Sequence, residues 1–198
     1  DVQYAADFGY RIKLLAVVAK HDADIEVGVH PTLVPFDHML ASVNGVFNAA
    51  MVRGDMVGDT MFYGRGAGRL PTASTVVGDI GDIARNMAHG EVRYARAVPT
   101  YGEGVTKLRA PGDIVSRFYL RFNVADKAGA FGTMTTILGR NGVSISAAAQ
   151  KTANVDEKGF VPVVVLTHPA PAKAVDAALA EIREAGILNE SPVKLRML

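Results

Sequence analysis

Apolar positions fall into blocks separated by polar and glycine-rich breaks, and the spacing within each block predicts an element. Residues 3 to 20, QYAADFGYRIKLLAVVAK, carry apolar side chains at helical spacing and predict a helix. IEVGVHPTLVP predicts an extended segment, and VFNAAMVRGDMVGDTMFYG predicts two strands around a turn at Gly54 and Asp55. In PTASTVVGDIGDIARNM the residues Val76, Val77, Ile80, Ile83, Ala84 and Met87 form a helical stripe. The run from 95 to 116, ARAVPTYGEGVTKLRAPGDIVS, has prolines and glycines without a long apolar period and reads as a connector.

Beyond the connector the order is cleaner. RFYLRFNVAD predicts a strand and GAFGTMTTILGRNG a helix ended by glycine. VSISAAAQK and GFVPVVVLTH predict strands joined by the polar turn ANVDEK; APAKAVDAALAEIREAG predicts a helix and ILNESPVKLRML a last strand. That β-α-β-β-α-β order is the ferredoxin-like arrangement. The expectation is an α+β chain: a mixed-sheet domain over residues 1–95, a linker over 96–116 and a ferredoxin-like domain over 117–198.

Composition narrows the function classes. Of the 198 residues 49% are hydrophobic and 21% charged, as in ordinary globular proteins. The 21 basic and 20 acidic side chains leave +1, so no broad basic face for nucleic acid is expected. The strands SISAAAQK and FVPVVVLTH also lack the paired aromatics of an RNA-binding sheet. No apolar run is long enough for a membrane helix and no secretory signal pattern is present. Cysteine is absent, which excludes disulfides and thiolate catalysis and fits a cytoplasmic protein. Because the chain opens on Asp1, directly into a helical pattern, it is expected to be the later part of a longer protein.

Two places carry candidate chemistry. On the predicted helix Lys13 shares a face with Ala6, Gly9, Ala16 and Val17, whereas Arg11 lies towards Asp7 as an i,i+4 partner. Two readings fit Lys13: a stem lying on the core with its ammonium reaching water, or a partly desolvated cation that binds a polar substrate or handles its proton. In YGRGAGRLPTAS, the glycines Gly64, Gly66 and Gly68 precede Pro71 and a helix start, where backbone N–H groups are free for a ligand. A plain tight turn fits that stretch equally well. Thr72 and Ser74 are expected to cap the helix. His21, His30, His38, His89 and His168 have no metal-ligand spacing, so no metal is expected. Asp79 and Asp82 read as a solvated face.

GYRIKLLAVVAK, VHPTLVP, VNGVFNAAMVRGD and YGRGAGRLPTASTVVGDI resemble, in this order and at these spacings, the substrate domain of the homoserine dehydrogenase family. RFYLRFNVADKAGAFGTMTTILGRNGVSISAAAQK resembles the ACT domain of many bacterial members. The resemblance implies a catalytic and dimerisation domain over 1–95 and a regulatory domain over 117–198. It implies NADP- or NAD-dependent interconversion of homoserine and aspartate semialdehyde, in a dimer or tetramer. The lysine on the helix entering the family's catalytic domain, its proposed proton donor, maps to Lys13. The acid that many members carry four residues earlier is replaced here by Gly9. The family's loop glycine against the nicotinamide maps to Gly68, with Ala67 and Gly66 shaping the loop, and Lys13 and Gly68 are expected to face one cleft.

No G-x-G-x-x-G after an early strand is present, so the cofactor is expected to be bound mainly by a dinucleotide-binding domain outside this chain, which alone should turn over nothing. The ACT resemblance implies an amino-acid effector, threonine, at Asp126, Lys127, Gly129, Ala130 and Phe131, with Asn141 to Ile145 opposite, between two copies. From the residues alone, Gly129 equally reads as a β-α connection that only shapes its turn, and Phe131, Met134, Ile137 and Leu138 read as the buried helix stripe. A stand-alone amino-acid-binding or dimerisation module is the alternative.

Overall fold

In the computed structural model the described residues are 1–22, 24–88, 107–150 and 159–198. Residues 95–106 of the expected 95–116 connector, the ANVDEK turn and His89 lie outside them. The chain forms two compact units, one of Asp1–Ala41 with Thr106–Leu198 and the other of Ser42–Val105.

The first unit opens with α1 (Val2–Asp7), only six residues long. Gly9 follows at φ +85°, a left-handed conformation that ends the helix and that glycine adopts without steric cost. Tyr10–Lys20 is then a strand, β1, and not the continuation of a helix. Its antiparallel partner β2 (Ile25–Pro35) pairs along its whole length, from Tyr10↔Pro35 to Lys20↔Ile25. The run IKLLAVVAK is apolar enough to satisfy either period; β-branched Ile12, Val17 and Val18 and the waiting partner strand decide for the sheet. Arg11 lies 5.7 Å over the Phe36 ring and donates to the Ala41 carbonyl.

The ferredoxin-like order is as expected: β5 (Val115–Ala125), α3 (Ala130–Arg140), β6 (Ile145–Gln150), β7 (Phe160–Thr167), α4 (Ala172–Glu184) and β9 (Val193–Met197), with the two-residue β8 (Ala170–Pro171) beside β5. The sheet runs β1-β2-β9-β5-β7-β6. β2 joins it parallel to β9, at Thr32↔Arg196 and Leu33↔Met197, so the first ribbon and the ferredoxin-like module share one sheet.

Strand parity divides the core. Phe118, Leu120, Phe122 and Val124 point with Val163 and Val165 towards α3 and α4, against Met134, Ile137, Leu138, Val175 and Leu179. Tyr119, Val164, Leu166, Leu33 and Met197 point the other way, beneath Ala5 of α1. β7 is covered on both faces, which explains its unbroken apolar run. α3 ends in a Schellman motif: Gly142, at φ +75°, donates to Gly139 O, and Val143 to Leu138 O.

Tyr119 is buried, donates to Asp1 Oδ1 at 2.7 Å, and has its phenol pushed up to about 12 by burial. A pKa raised on folding stabilises fully below the unfolded value near 10, and that contribution is lost as pH rises through about 12. Unfolding free energy should therefore fall between those pH values, by up to about 2 kcal/mol, in urea titrations, and Tyr119→Phe should flatten the fall.

The second unit holds β3 (Phe47–Gly54), β4 (Gly58–Arg65) and α2 (Arg69–Ala88). β3 and β4 form the expected hairpin, closing at Gly54↔Gly58. The helical stripe is also as expected in period, but it is not covered: no α2 residue is buried, and Met87 is 77% exposed.

Candidate functional site: a glycine loop and a helix-capping turn

The glycine loop leaves β4 at Arg65 and enters α2 at Arg69. A methyl group on Gly66 would sit 1.7 Å from Asn48 Nδ2 and 2.5 Å from its Cγ, so no other residue fits without displacing Asn48. The Gly66 N–H donates to Val46 O at 3.1 Å, tying the loop back to the segment before β3. Gly68 adopts φ +120° and accepts at its carbonyl from the Thr72 N–H. Pro71 occupies the first turn of α2, where a missing N–H costs nothing. Thr72 and Ser74 lie inside α2 and do not cap it, which corrects the expectation. The loop thus brings Gly66, Ala67 and Gly68 together with bare backbone at a helix start, which suits close approach of a polar ligand.

Asn48 was not singled out from the sequence. Its signal is weak, a single asparagine at the start of a mostly apolar strand, and its role depends on a contact eighteen residues away in the chain. Beside it, Phe47 stacks on Tyr63 with ring centroids 4.9 Å apart, and Arg65 lies 5.2 Å over the Phe47 ring. Asp82 pairs with Arg85 at 2.8 Å on the exposed side of α2, the solvated face expected.

Lys13 belongs to the other unit, on β1. Register places it opposite Thr32, which in turn neighbours Arg196 on β9 and, beyond it, Phe118 on β5. It therefore shares one sheet face with these residues and not a helical face with Ala6 and Gly9. The helical position on which its transfer from the family rested does not exist.

At the ferredoxin-like end, Gly129 caps α3 with φ +89°, and space around its missing Cβ is open. Glycine is needed there for conformation, not for close approach. Asp126 and Lys127 are exposed and Ala130 is buried. Phe131 is 41% exposed, so it stands apart from the stripe of Met134, Ile137 and Leu138 in which it was expected. Asn141 is committed to the far end of α3, donating to Ile137 O at 3.0 Å and to Glu181 Oε2 at 2.8 Å, and Ile145 opens β6. The rest of α3 separates these from the Asp126–Phe131 turn, a rise of about 15 Å from Phe131 to Asn141. Within one chain the two halves of the expected effector site do not meet; only a second copy could bring them together.

The family model described as homoserine dehydrogenase matches residues 1–80, and the ACT domain model matches 118–184. Homoserine dehydrogenases of Neisseria gonorrhoeae and Pseudomonas aeruginosa are 41% and 36% identical over 100% of this chain, which covers 45% and 46% of their lengths. The crystal structure of a homoserine dehydrogenase from Thiobacillus denitrificans superposes on the whole chain with a TM-score of 0.82 at 34% identity, the chain covering 44% of it. The chain thus spans a little under half the length of the relatives it matches. With a segment that matches the homoserine dehydrogenase model ending just beyond the glycine loop, and a segment that matches the ACT domain after it, the chain is similar over its whole length to one part of homoserine dehydrogenases.

Proposed function

We propose that this chain is the C-terminal portion of a homoserine dehydrogenase that interconverts L-homoserine and L-aspartate 4-semialdehyde, in threonine, methionine and isoleucine biosynthesis in the cytoplasm. The observation that carries the reading is whole-chain similarity to such enzymes combined with a loop in which Gly66 has no room for a side chain. Gly66, Ala67 and Gly68 fit the edge of a nicotinamide dinucleotide, NADP or NAD, held mainly by a domain outside this chain. When bound, that cofactor supplies the hydride. The loop's part is positional: Asn48 and Val46 hold it, and its bare backbone limits how far the nicotinamide can wander.

Lys13 is not assigned the proton. On a strand, facing Thr32 and the Arg196 row, it reads as part of a charged sheet face. Lys13→Ala in the full-length dehydrogenase should lower kcat by less than about tenfold. A loss of about a thousandfold at unchanged KM would restore the proton-donor role.

Two exposed apolar faces fit assembly. On the β1–β2 ribbon, Leu14, Val18, Val27 and Val29 lie on one face, with Val18 directly opposite Val27. A second copy is proposed there, giving the dimer. The α2 stripe suits the dinucleotide-binding domain.

The ACT-like end is proposed to bind threonine as a feedback inhibitor at Asp126, Lys127, Gly129, Ala130 and Phe131 of one copy and Asn141 to Ile145 of another. Full-length enzyme should oxidise NADPH with aspartate semialdehyde, and this chain alone should not; turnover by the chain alone would overturn the reading. Calorimetric titration with L-threonine should give heat that isoleucine, lysine and methionine do not, and Gly129→Ala should abolish it.

A further inference from the structure

We propose that Arg65 is a ligand-anchoring residue: its guanidinium, braced on the Phe47–Tyr63 stack, grips an anionic oxygen group of the ligand that the glycine loop admits. This deepens the dehydrogenase reading and rests on it.

The placement of Arg65 follows from strand alternation. In the β3–β4 ladder Phe47 stands directly opposite Arg65 and Ala49 opposite Tyr63, so Phe47, Tyr63 and Arg65 share one face of the hairpin. Asn48 stands opposite Gly64 and belongs to the other face. Asn48 is also the residue against which Gly66 packs. Replacing Arg65 therefore removes no part of the Asn48–Gly66 contact that shapes the loop.

The stack holds the side chain without using it up. Phe47 is half-buried and lies nearly parallel to Tyr63, with 4.9 Å between ring centroids and 9° between planes. The Arg65 guanidinium carbon is 5.2 Å from the centroid of the Phe47 ring. A cation–π contact of this kind consumes none of the five N–H donors of a guanidinium. Among the described residues Arg65 makes no ion pair, whereas Arg53 is committed to Asp59 and Arg85 to Asp82.

The loop lacks such a group of its own. Its Gly66 N–H is committed to Val46 O and the Thr72 N–H to Gly68 O, so the loop supplies room more than charge. RGAGR contains no acid, and arginines stand at both its ends, Arg65 closing β4 and Arg69 opening α2. A cation in the first turn of a helix opposes the helix dipole, so the positive charge here is not balanced from within. An anion is the complement. The proposed reaction brings two anions to this loop, the diphosphate of the dinucleotide and the α-carboxylate of the substrate. Either accepts paired N–H bonds from a guanidinium fork.

The test uses the full-length dehydrogenase carrying Arg65→Met, which keeps an apolar stem and removes the charge. NADPH binding is read by its fluorescence, and L-homoserine binding by calorimetry in the presence of NADP. At least one of the two dissociation constants should rise about tenfold, the loss expected for a charged hydrogen bond, with Tm unchanged. A rise for NADPH, with weaker competition by inorganic pyrophosphate, assigns the phosphate; a rise for homoserine assigns the carboxylate. Arg65→Lys should recover part of the loss. In turnover the matching KM should rise while kcat stays within about threefold. Arg85→Met, an equal loss of charge on the exposed side of α2, should change neither constant. Both dissociation constants within about twofold of the parent would overturn the proposal and leave the dehydrogenase reading intact. Equal weakening by Arg85→Met, or a lowered Tm with kcat lost at unchanged binding, would overturn it too. Failure of the unsubstituted enzyme to reduce aspartate semialdehyde would remove the dehydrogenase reading, and this inference with it.

Discussion

Gly66→Ala should reduce kcat/KM of the full-length dehydrogenase by about a hundredfold, because misplacing a positioning loop by about 1 Å costs that much. The methyl group would meet Asn48 Nδ2 at 1.7 Å, inside any possible contact, so the Asn48 side chain must swing away from the loop it supports, or the loop or the strand carrying Asn48 must shift. The discriminating experiment adds Asn48→Ala. That change removes the two closest atoms and leaves only Asn48 Cβ, at 3.1 Å. The double variant should regain most of the lost activity, while Asn48→Ala alone should cost less than Gly66→Ala. If Gly66→Ala retains near-full activity, the loop does not position the cofactor as proposed. If the double variant is no better than Gly66→Ala, the damage does not pass through Asn48.

The second large effect concerns folding. Phe122→Ala removes a fully buried ring packed between the sheet and the two helices above it and should cost about 3–5 kcal/mol in urea unfolding. Phe131→Ala, at a ring 41% exposed, should cost about 1 kcal/mol or less. The same pair separates stability from effector binding. If the turn at Asp126–Phe131 binds threonine, Phe131→Ala should weaken that binding although it barely affects stability. Equal stability losses for the two variants would place Phe131 back in the buried stripe.

The elements read correctly from sequence share a physical cause: their local signals did not compete. The hairpin had strand residues on both sides of glycines, and the α3 terminus had Asn141 and Gly142 where a Schellman turn needs them. The β-α-β-β-α-β order followed from alternating periods of two and 3.6. The failures also share a cause. IKLLAVVAK satisfies both periods, and only pairing with β2 chose the strand, which moved Lys13 off the face from which its role was argued. Thr72 and Ser74 look like caps in isolation, but α2 starts at Arg69, so they fall inside it. Phe131 fits the helical period and yet is partly exposed, because it lies in the first turn of α3, at the edge of the packed layer.

By itself the sequence determined the β-α-β-β-α-β order after the connector, the hairpin before it and the glycine loop, since each depends on residue type and near neighbours. Tertiary structure decided the rest: that β2 and β9 would fuse two segments into one sheet, that Gly66 would lie against Asn48, and that Thr32 would lie beside Arg196. Those contacts join residues up to 164 positions apart, as between Thr32 and Arg196. Strand register sets them, and a one-residue slip would turn every side chain to the opposite face.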